Sequence, residues 1–409
     1  MLLEKSKDLV RDADRAAEEL EDYGGTVRVV AHYDCDGISS AVIAHEMLER
    51  SGTPFEISFV EELDRAKLEE LVEEKDEDLW LFVDIGSGQI GEVEEVLADR
   101  TVIIADHHEP SSGSVKHHLN PHLHGIDGGE NISGAGVTYL LARVMDGGNQ
   151  DLLQYALVGA TGDIQKEDGR YLGLNESMME DAVDQGIVER KKGLKLYGRT
   201  RKSIVEAFTY TTSPYLPGIT NSEPGAVQFL SELGIDLRDN GDWRSLEDLS
   251  LEEEKEIVHG LIIKGYEVEE LLGDIYMLGN GWEIREFSSL LNACGRLERP
   301  YDGVRICLEE DFGLAEEIKR EYGRKIGNYL SFVEDSLDDS DVVQDFGGGA
   351  VIVADDSIHS NMIGTVTTIS QKSGILEKEV LVGLAWKGEE HTKISARAEE
   401  NVVESGLTM

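Results

Sequence analysis

Three short apolar runs, Val27–Ala31, Leu79–Val83 and Thr101–Ala105, each lead into a polar string: Asp34-Cys35-Asp36-Gly37, Val83-Asp84-Ile85-Gly86 and Asp106-His107-His108. The runs are β-branched or aromatic, and helix-like stretches separate them, which predicts alternating β/α units and a parallel sheet. In such sheets ligands bind outside the carboxyl ends of the strands, so carboxylates and imidazoles gather where a site is expected. A chain that runs on extended past its strand directs residues i and i+2 to one side, so Asp34 and Asp36 are expected to present their carboxylates together. Oxygen ligands mixed with imidazole favour Mn²⁺ or Mg²⁺ over structural zinc, which usually takes thiolates.

These strings resemble the motifs of the DHH phosphoesterases, and over nearly the whole chain those of the RecJ-like single-strand exonucleases, the archaeal ones in particular. Asp34/Asp36, Val83–Gly86 and Asp106–His108 resemble the first three motifs, and Gly159-Ala160-Thr161-Gly162-Asp163 resembles the fourth. Ser133-Gly134-Ala135-Gly136-Val137 and Leu291-Asn292-Ala293-Cys294-Gly295-Arg296-Leu297 resemble RecJ stretches. The resemblance implies a metal-dependent phosphodiesterase that degrades single-stranded DNA or RNA by two-metal hydrolysis, in replication, repair or RNA processing. Two ions, Mn²⁺ or Mg²⁺, are then expected: one on Asp34, Asp84 and His32, the other on Asp36, Asp84, His107 and Asp163, with Asp84 bridging. Many relatives carry a metal-binding His four residues before the Asp34 equivalent. Here that position is Val30, and His32 is the candidate replacement. His108 is expected to face the scissile phosphate beside Asp84, and Arg296, Asn292, Ser395 and Arg397 to contact substrate. Archaeal relatives associate with the GINS complex, which makes a GINS-type replication assembly a candidate partner.

The expected fold class is α/β. Residues 1–165 read as a parallel-sheet DHH core, 166–335 as a helix-rich middle segment, 336–349 as an acidic and Gly-rich linker, and 350–409 as a smaller α/β DHH-associated domain. That last domain resembles its family through Lys393-Ile394-Ser395-Ala396-Arg397 but stops before the usual Gly-rich string ending in His, so a truncated chain is expected. No run of about 18 apolar residues exists and the first 21 residues are charged, so neither a membrane span nor a signal peptide is expected, and a cytoplasmic location is. Cys35, Cys294 and Cys307 lack disulfide or metal-finger spacing, which fits a reducing compartment.

The formal net charge of −45 conflicts with nucleic-acid binding, which normally rests on Lys and Arg. A salt-rich cytoplasm resolves the conflict, because at 1 M salt the Debye length is about 3 Å, and a halophilic archaeal source is expected. The alternatives are an ordinary acidic phosphoesterase with a small substrate, and a replication scaffold. Against this background Arg190, Lys191, Lys192, Lys195, Arg199, Arg201 and Lys202 form the one dense basic run, read either as a backbone-tracking patch with Lys191 and Lys192 on substrate or as a solvated helix face. His117, His118, His122 and His124 fit no standard zinc spacing, and Gly86-Ser87-Gly88 and Gly128-Gly129 lack Walker spacing and read as turns.

Overall fold

A computed structural model describes residues 6–75, 77–167, 169–211, 214–388, 391–399 and 402. The three apolar runs are strands of one five-stranded sheet, β1 (Val27–His32), β2 (Phe55–Val60), β3 (Leu79–Val83), β4 (Thr101–Ala105) and β5 (His117–Leu119), in which they form β1, β3 and β4. Their order is β2-β1-β3-β4-β5, parallel throughout. Every residue of β3 is buried, as a parallel strand covered on both faces must be. On one face Val30, Trp80, Phe82 and Ile104 pack with Leu68 and Leu71 of α3 (Arg65–Glu74) and Ile90 and Val93 of α4 (Ile90–Val96). The alternate residues Val29, Leu81 and Ile103 are equally buried. With them belong α1 (Lys7–Asp22), whose Leu9, Ala13, Ala16, Ala17 and Leu20 form one buried stripe, α2 (Cys35–Ser51), α5 (Gly134–Met145) and α6 (Leu153–Gly162). The strand order reverses between β1 and β3, so the loops after these strands diverge and leave a crevice at their carboxyl ends.

Past β1 the structure departs from the extended path expected for Asp34 and Asp36. Asp34 is the N-cap of α2, its carboxylate accepting the Gly37 N–H at 3.0 Å, and Asp36 already lies in the first helical turn. Capping by Asp is the local preference that wins here.

The chain divides into two compact units, Met1–Lys195 with Glu267–Ala315, and Leu196–Tyr266 with Glu316–Met409. This division differs from the sequence segmentation at 165 and 335 because pairing, not composition, decides it. In the first unit β6 (Val188–Leu194) pairs antiparallel with β7 (Leu272–Leu278), and α7 (Ile284–Arg296) packs on α6 and α2. Residues 196–266 therefore leave and return at the ends of two paired strands. The basic run is not a helix face: Arg190, Lys191 and Lys192 lie on β6.

In the second unit, helices Ile204–Thr209, Glu223–Glu232 and Leu251–Ile263 pack in part through Phe208 and Phe229, whose ring centroids are 5.8 Å apart. The later part holds the sheet β8 (Val343–Asp345), β9 (Gly349–Asp355), β10 (Val380–Lys387) and β11 (His391–Ala398), with α8 (Ser360–Lys372) against β10 and β11. The stretch expected as a linker thus contributes an edge strand, closed by the Phe346 N–H donating to the Gly349 carbonyl at 2.8 Å. Ser213 of the Pro-containing loop and residues 403–409 lie outside the described residues. Among the described residues no helix is long and apolar enough to cross a membrane.

Candidate metal centre

The loops after β1, β3 and β4 and the end of α6 converge. His32, the last residue of β1, places Nδ1 at 3.1 Å from Asp34 Oδ1 and 3.6 Å from Asp84 Oδ2. Burial disfavours charge on His32, but the Asp34 and Asp84 carboxylates outweigh it and raise its pKa. Burial likewise pushes Asp34 up, and the His32 charge with the Gly37 N–H reverses this and holds it below the usual carboxylate range.

A second group lies around His107. Its Nδ1 is 2.7 Å from the Gly128 carbonyl, which can only accept, so Nδ1 carries the proton. Nε2 then faces three carboxylates: Asp84 Oδ1 at 3.3 Å, Asp163 Oδ2 at 3.4 Å and Asp36 Oδ2 at 3.8 Å. Asp36 is fully buried and accepts the Gly134 and Ala135 N–H groups at the start of α5, at 2.6 and 3.0 Å. Burial and the Asp84 charge push Asp36 up to about 8, and burial with the Asp36, Asp34 and Asp84 charges raises Asp163. Two motif glycines create this closeness: a Cβ at Gly134 would collide with the Asp84 carboxylate and one at Gly159 with that of Asp36.

Asp84 is 1% exposed, sits in left-handed backbone at φ 56°, and neither of its carboxylate oxygens has a hydrogen-bond partner. His107 Nε2 is also buried without one. Buried charge is retained when it is paired or binds a metal, and these orphaned atoms border both donor groups, His32/Asp34/Asp84 and Asp36/His107/Asp163, whose ligand atoms lie within 4.8 Å of one another. An oxygen-rich set with one imidazole on each side fits hard divalent cations.

Asp106, absent from the sequence-based site, organises the third motif. Its buried carboxylate accepts from Ser87 N at 2.9 Å, His107 N at 2.8 Å and His108 Nδ1 at 2.8 Å. The bond to Asp106 raises the His108 pKa, and the His108 side chain remains 53% exposed, so its Nε2 edge faces outward as an acid or hydrogen-bond donor. Asp, His and His in succession carried that signal, since the carboxylate can reach the imidazole two residues on. A cavity of about 540 Å³ borders His32, Asp84 and His108, and its rim includes Glu61, Glu62, Asp64 and Glu109.

The remaining candidates are engaged as follows. Asn292 Oδ1 accepts the Cys35 N–H at 3.2 Å, so this residue of α7 seats the Asp34 loop. Arg296, one turn later, is half-buried and adds positive charge beside Tyr33. Lys192 pairs with Asp274 at 2.7 Å and Lys191 lies 3.6 Å from Glu189. In the second unit Ser395 and Arg397 lie on β11, and Arg397 donates to Thr368 Oγ1 and the Ala396 carbonyl, each at 2.7 Å. The four histidines of residues 117–124 are separately engaged, His117 with Glu19, His118 with Ser87, His122 with Gly128 and His124 with Asp12, so they do not assemble a zinc site. All three cysteines are buried and free.

The chain is similar to known proteins over most of its length. A family model described as the DHH family, N-terminal domain, matches residues 26–162, and the DHH-CID domain matches residues 196–270. An uncharacterised protein of Methanocaldococcus jannaschii is 31% identical over 420 residues, 100% of this chain and 89% of that one. The single-stranded-DNA-specific exonuclease RecJ of Thermus thermophilus is 30% identical over 215 residues, 49% of this chain but 31% of RecJ. The crystal structure of that RecJ with Mn²⁺ matches at a TM-score of 0.55 and 18% identity, covering 92% of this chain and 46% of RecJ. CDC45 from Entamoeba histolytica matches at a TM-score of 0.68 and 13% identity, covering 97% and 89%. The chain belongs to the DHH family and has a RecJ-like fold.

Proposed function

We propose that this protein is a Mn²⁺- or Mg²⁺-dependent phosphodiesterase that shortens single-stranded DNA or RNA from an end. One observation carries the reading: Asp84 and His107 hold buried, unpartnered ligand atoms, each within a group of donors close enough to share a cation. Two divalent cations would be held, one by His32, Asp34 and Asp84, the other by Asp36, Asp84, His107 and Asp163. When bound, such ions supply an acidified water and neutralise phosphoryl charge. The protein's own residues do the rest. Gly134 and Ala135 N–H groups orient Asp36, the Gly128 carbonyl fixes the His107 tautomer, and Asp106 holds His108 so that its outer edge donates to a phosphoryl oxygen or protonates the departing one. Arg296, Asn292, Ser395 and Arg397 are proposed substrate contacts. Lys191 and Lys192 contribute less, because neighbouring acids already offset their charge.

The test is end-labelled single-stranded DNA and RNA incubated with Mn²⁺ in concentrated KCl, wild type beside Asp84→Ala. Progressive shortening by the wild type, lost by at least a thousandfold in the variant as for removal of a central catalytic group (about 4 kcal/mol), supports the proposal. Cleavage of a dinucleotide alone would transfer the assignment to a small-molecule phosphoesterase, a reading favoured by the acidic cavity rim.

A second role is compatible with the first. The fold likeness to CDC45 favours membership of a replication assembly, with a GINS-type complex as the candidate partner. Co-purification of that complex with Asp84→Ala would separate it from catalysis.

A further inference from the structure

The helix that delivers Asp163 ends in an unexpected residue. After α6 the Ile164 N–H donates to the Thr161 carbonyl at 3.2 Å and the Gln165 N–H to the Ala160 carbonyl at 3.0 Å. This is the Schellman ending, which places one residue in left-handed backbone, usually Gly. Elsewhere among the described residues the same pair of bonds closes helices with Gly there at Gly52, Gly125, Gly186, Gly234 and Gly265, at φ 70–101°. At the end of α6 the position is Ile164, at φ 59°. Glu298, after α7, is a further non-glycine example, but it is unbranched at Cβ. A β-branched residue in this region is an outlier, costing about 1–2 kcal/mol.

Ile164 is unfavourable in a second way, since its side chain is 81% exposed. The turn cannot relax, because buried Gln165 anchors it: Nε2 donates to the Gly128 carbonyl at 2.8 Å, and Oε1 accepts from Asn175 at 2.7 Å. Gly128 is the residue whose carbonyl also fixes His107. A strained, solvent-facing apolar side chain is thus held rigidly one residue from Asp163, whose carboxylate is 3.4 Å from His107 Nε2. Strain retained beside a site by an over-determined surrounding points to a use in that site.

We propose that Ile164 is a specificity-determining contact that packs against the apolar face of the nucleobase next to the scissile phosphodiester. The inference rests on the phosphodiesterase reading above and deepens it by naming a base-bearing substrate: pyrophosphate or a bare phosphoester offers no such face. A nucleobase face is apolar whatever its sequence, so this contact grips without reading sequence.

The test uses a single-stranded decanucleotide with phosphorothioate linkages and 2-aminopurine at each end in turn, titrated with protein in Ca²⁺ and followed by fluorescence. Wild type is expected to change the emission of one terminal base. Ile164→Gly and Ile164→Asn, both at ease in left-handed backbone, are expected to bind roughly tenfold more weakly with the emission change lost, and Ile164→Val to restore both. Ile164→Gly is expected to melt about 2–4 °C higher, which shows that the loss is not misfolding. Equal binding and emission by wild type, Ile164→Gly and Ile164→Asn would overturn this inference and leave the phosphodiesterase reading standing. No strand binding by wild type would overturn both.

Discussion

Asp84 is buried with neither carboxylate oxygen hydrogen-bonded, and its charge reaches Asp36. Burial and the Asp84 charge push the Asp36 pKa up to about 8, against an ordinary 3.8. Between those values the folded metal-free protein keeps a proton that the unfolded chain has released, so stability falls as pH rises through the window, by up to about 1.4 kcal/mol per pH unit. The raised His107, His32 and Asp163 act in the same sense, and the lowered Asp34 contributes only below the ordinary carboxylate range, outside this window. Denaturant titration in EDTA is therefore expected to show the wild type losing stability from pH 5 to 8, with a shallower loss in Asp84→Asn and near-removal of the loss by Mn²⁺. A flat or rising wild-type profile in EDTA would contradict the arrangement of charges. At this scale the sequence was informative where chemistry and strand position coincide: Asp34, Asp36, Asp84, His107 and Asp163 were legible because each follows or closes a recognisable element. Gln165 and Gly128 were not, because a buried amide and a backbone carbonyl become functional only through contacts far along the chain.

At the scale of elements, α7 acts on the centre through Asn292, which accepts the Cys35 N–H and so fixes the start of α2. Asn292→Ala strands that N–H and is expected to lower stability by about 1–3 kcal/mol and to weaken Mn²⁺ binding, measured by denaturation in EDTA and by titration calorimetry. A stability loss with Mn²⁺ affinity untouched would mean that α7 merely packs. Three strands of the parallel sheet, β1, β3 and β4, were readable as apolar runs, whereas β2 and the short His117-His118-Leu119 strand β5 were not. Strand β6 was not, because Val188-Glu189-Arg190-Lys191-Lys192-Gly193-Leu194 is half charged and becomes a strand by pairing with Leu272–Leu278, a tertiary override of local preference. For the same reason the segmentation by composition missed the discontinuity of both units.

For the whole molecule, charge dominates. A net charge of −45 over 409 residues opposes compaction, and added salt shortens the range of that repulsion from about 10 Å at 0.1 M to about 3 Å at 1 M. The melting temperature is expected to rise steeply between 0.1 and 2 M KCl, and single-strand binding to persist at salt that would release a basic protein. A melting temperature independent of KCl would remove the case for a salt-adapted surface.

The link between Cys35 and Asn292 joins residues 257 positions apart. During synthesis the first three motifs emerge long before the helix that locks the first of them, and chains fold as they leave the ribosome. The bond that seats the start of α2 therefore waits until residue 292 has been made.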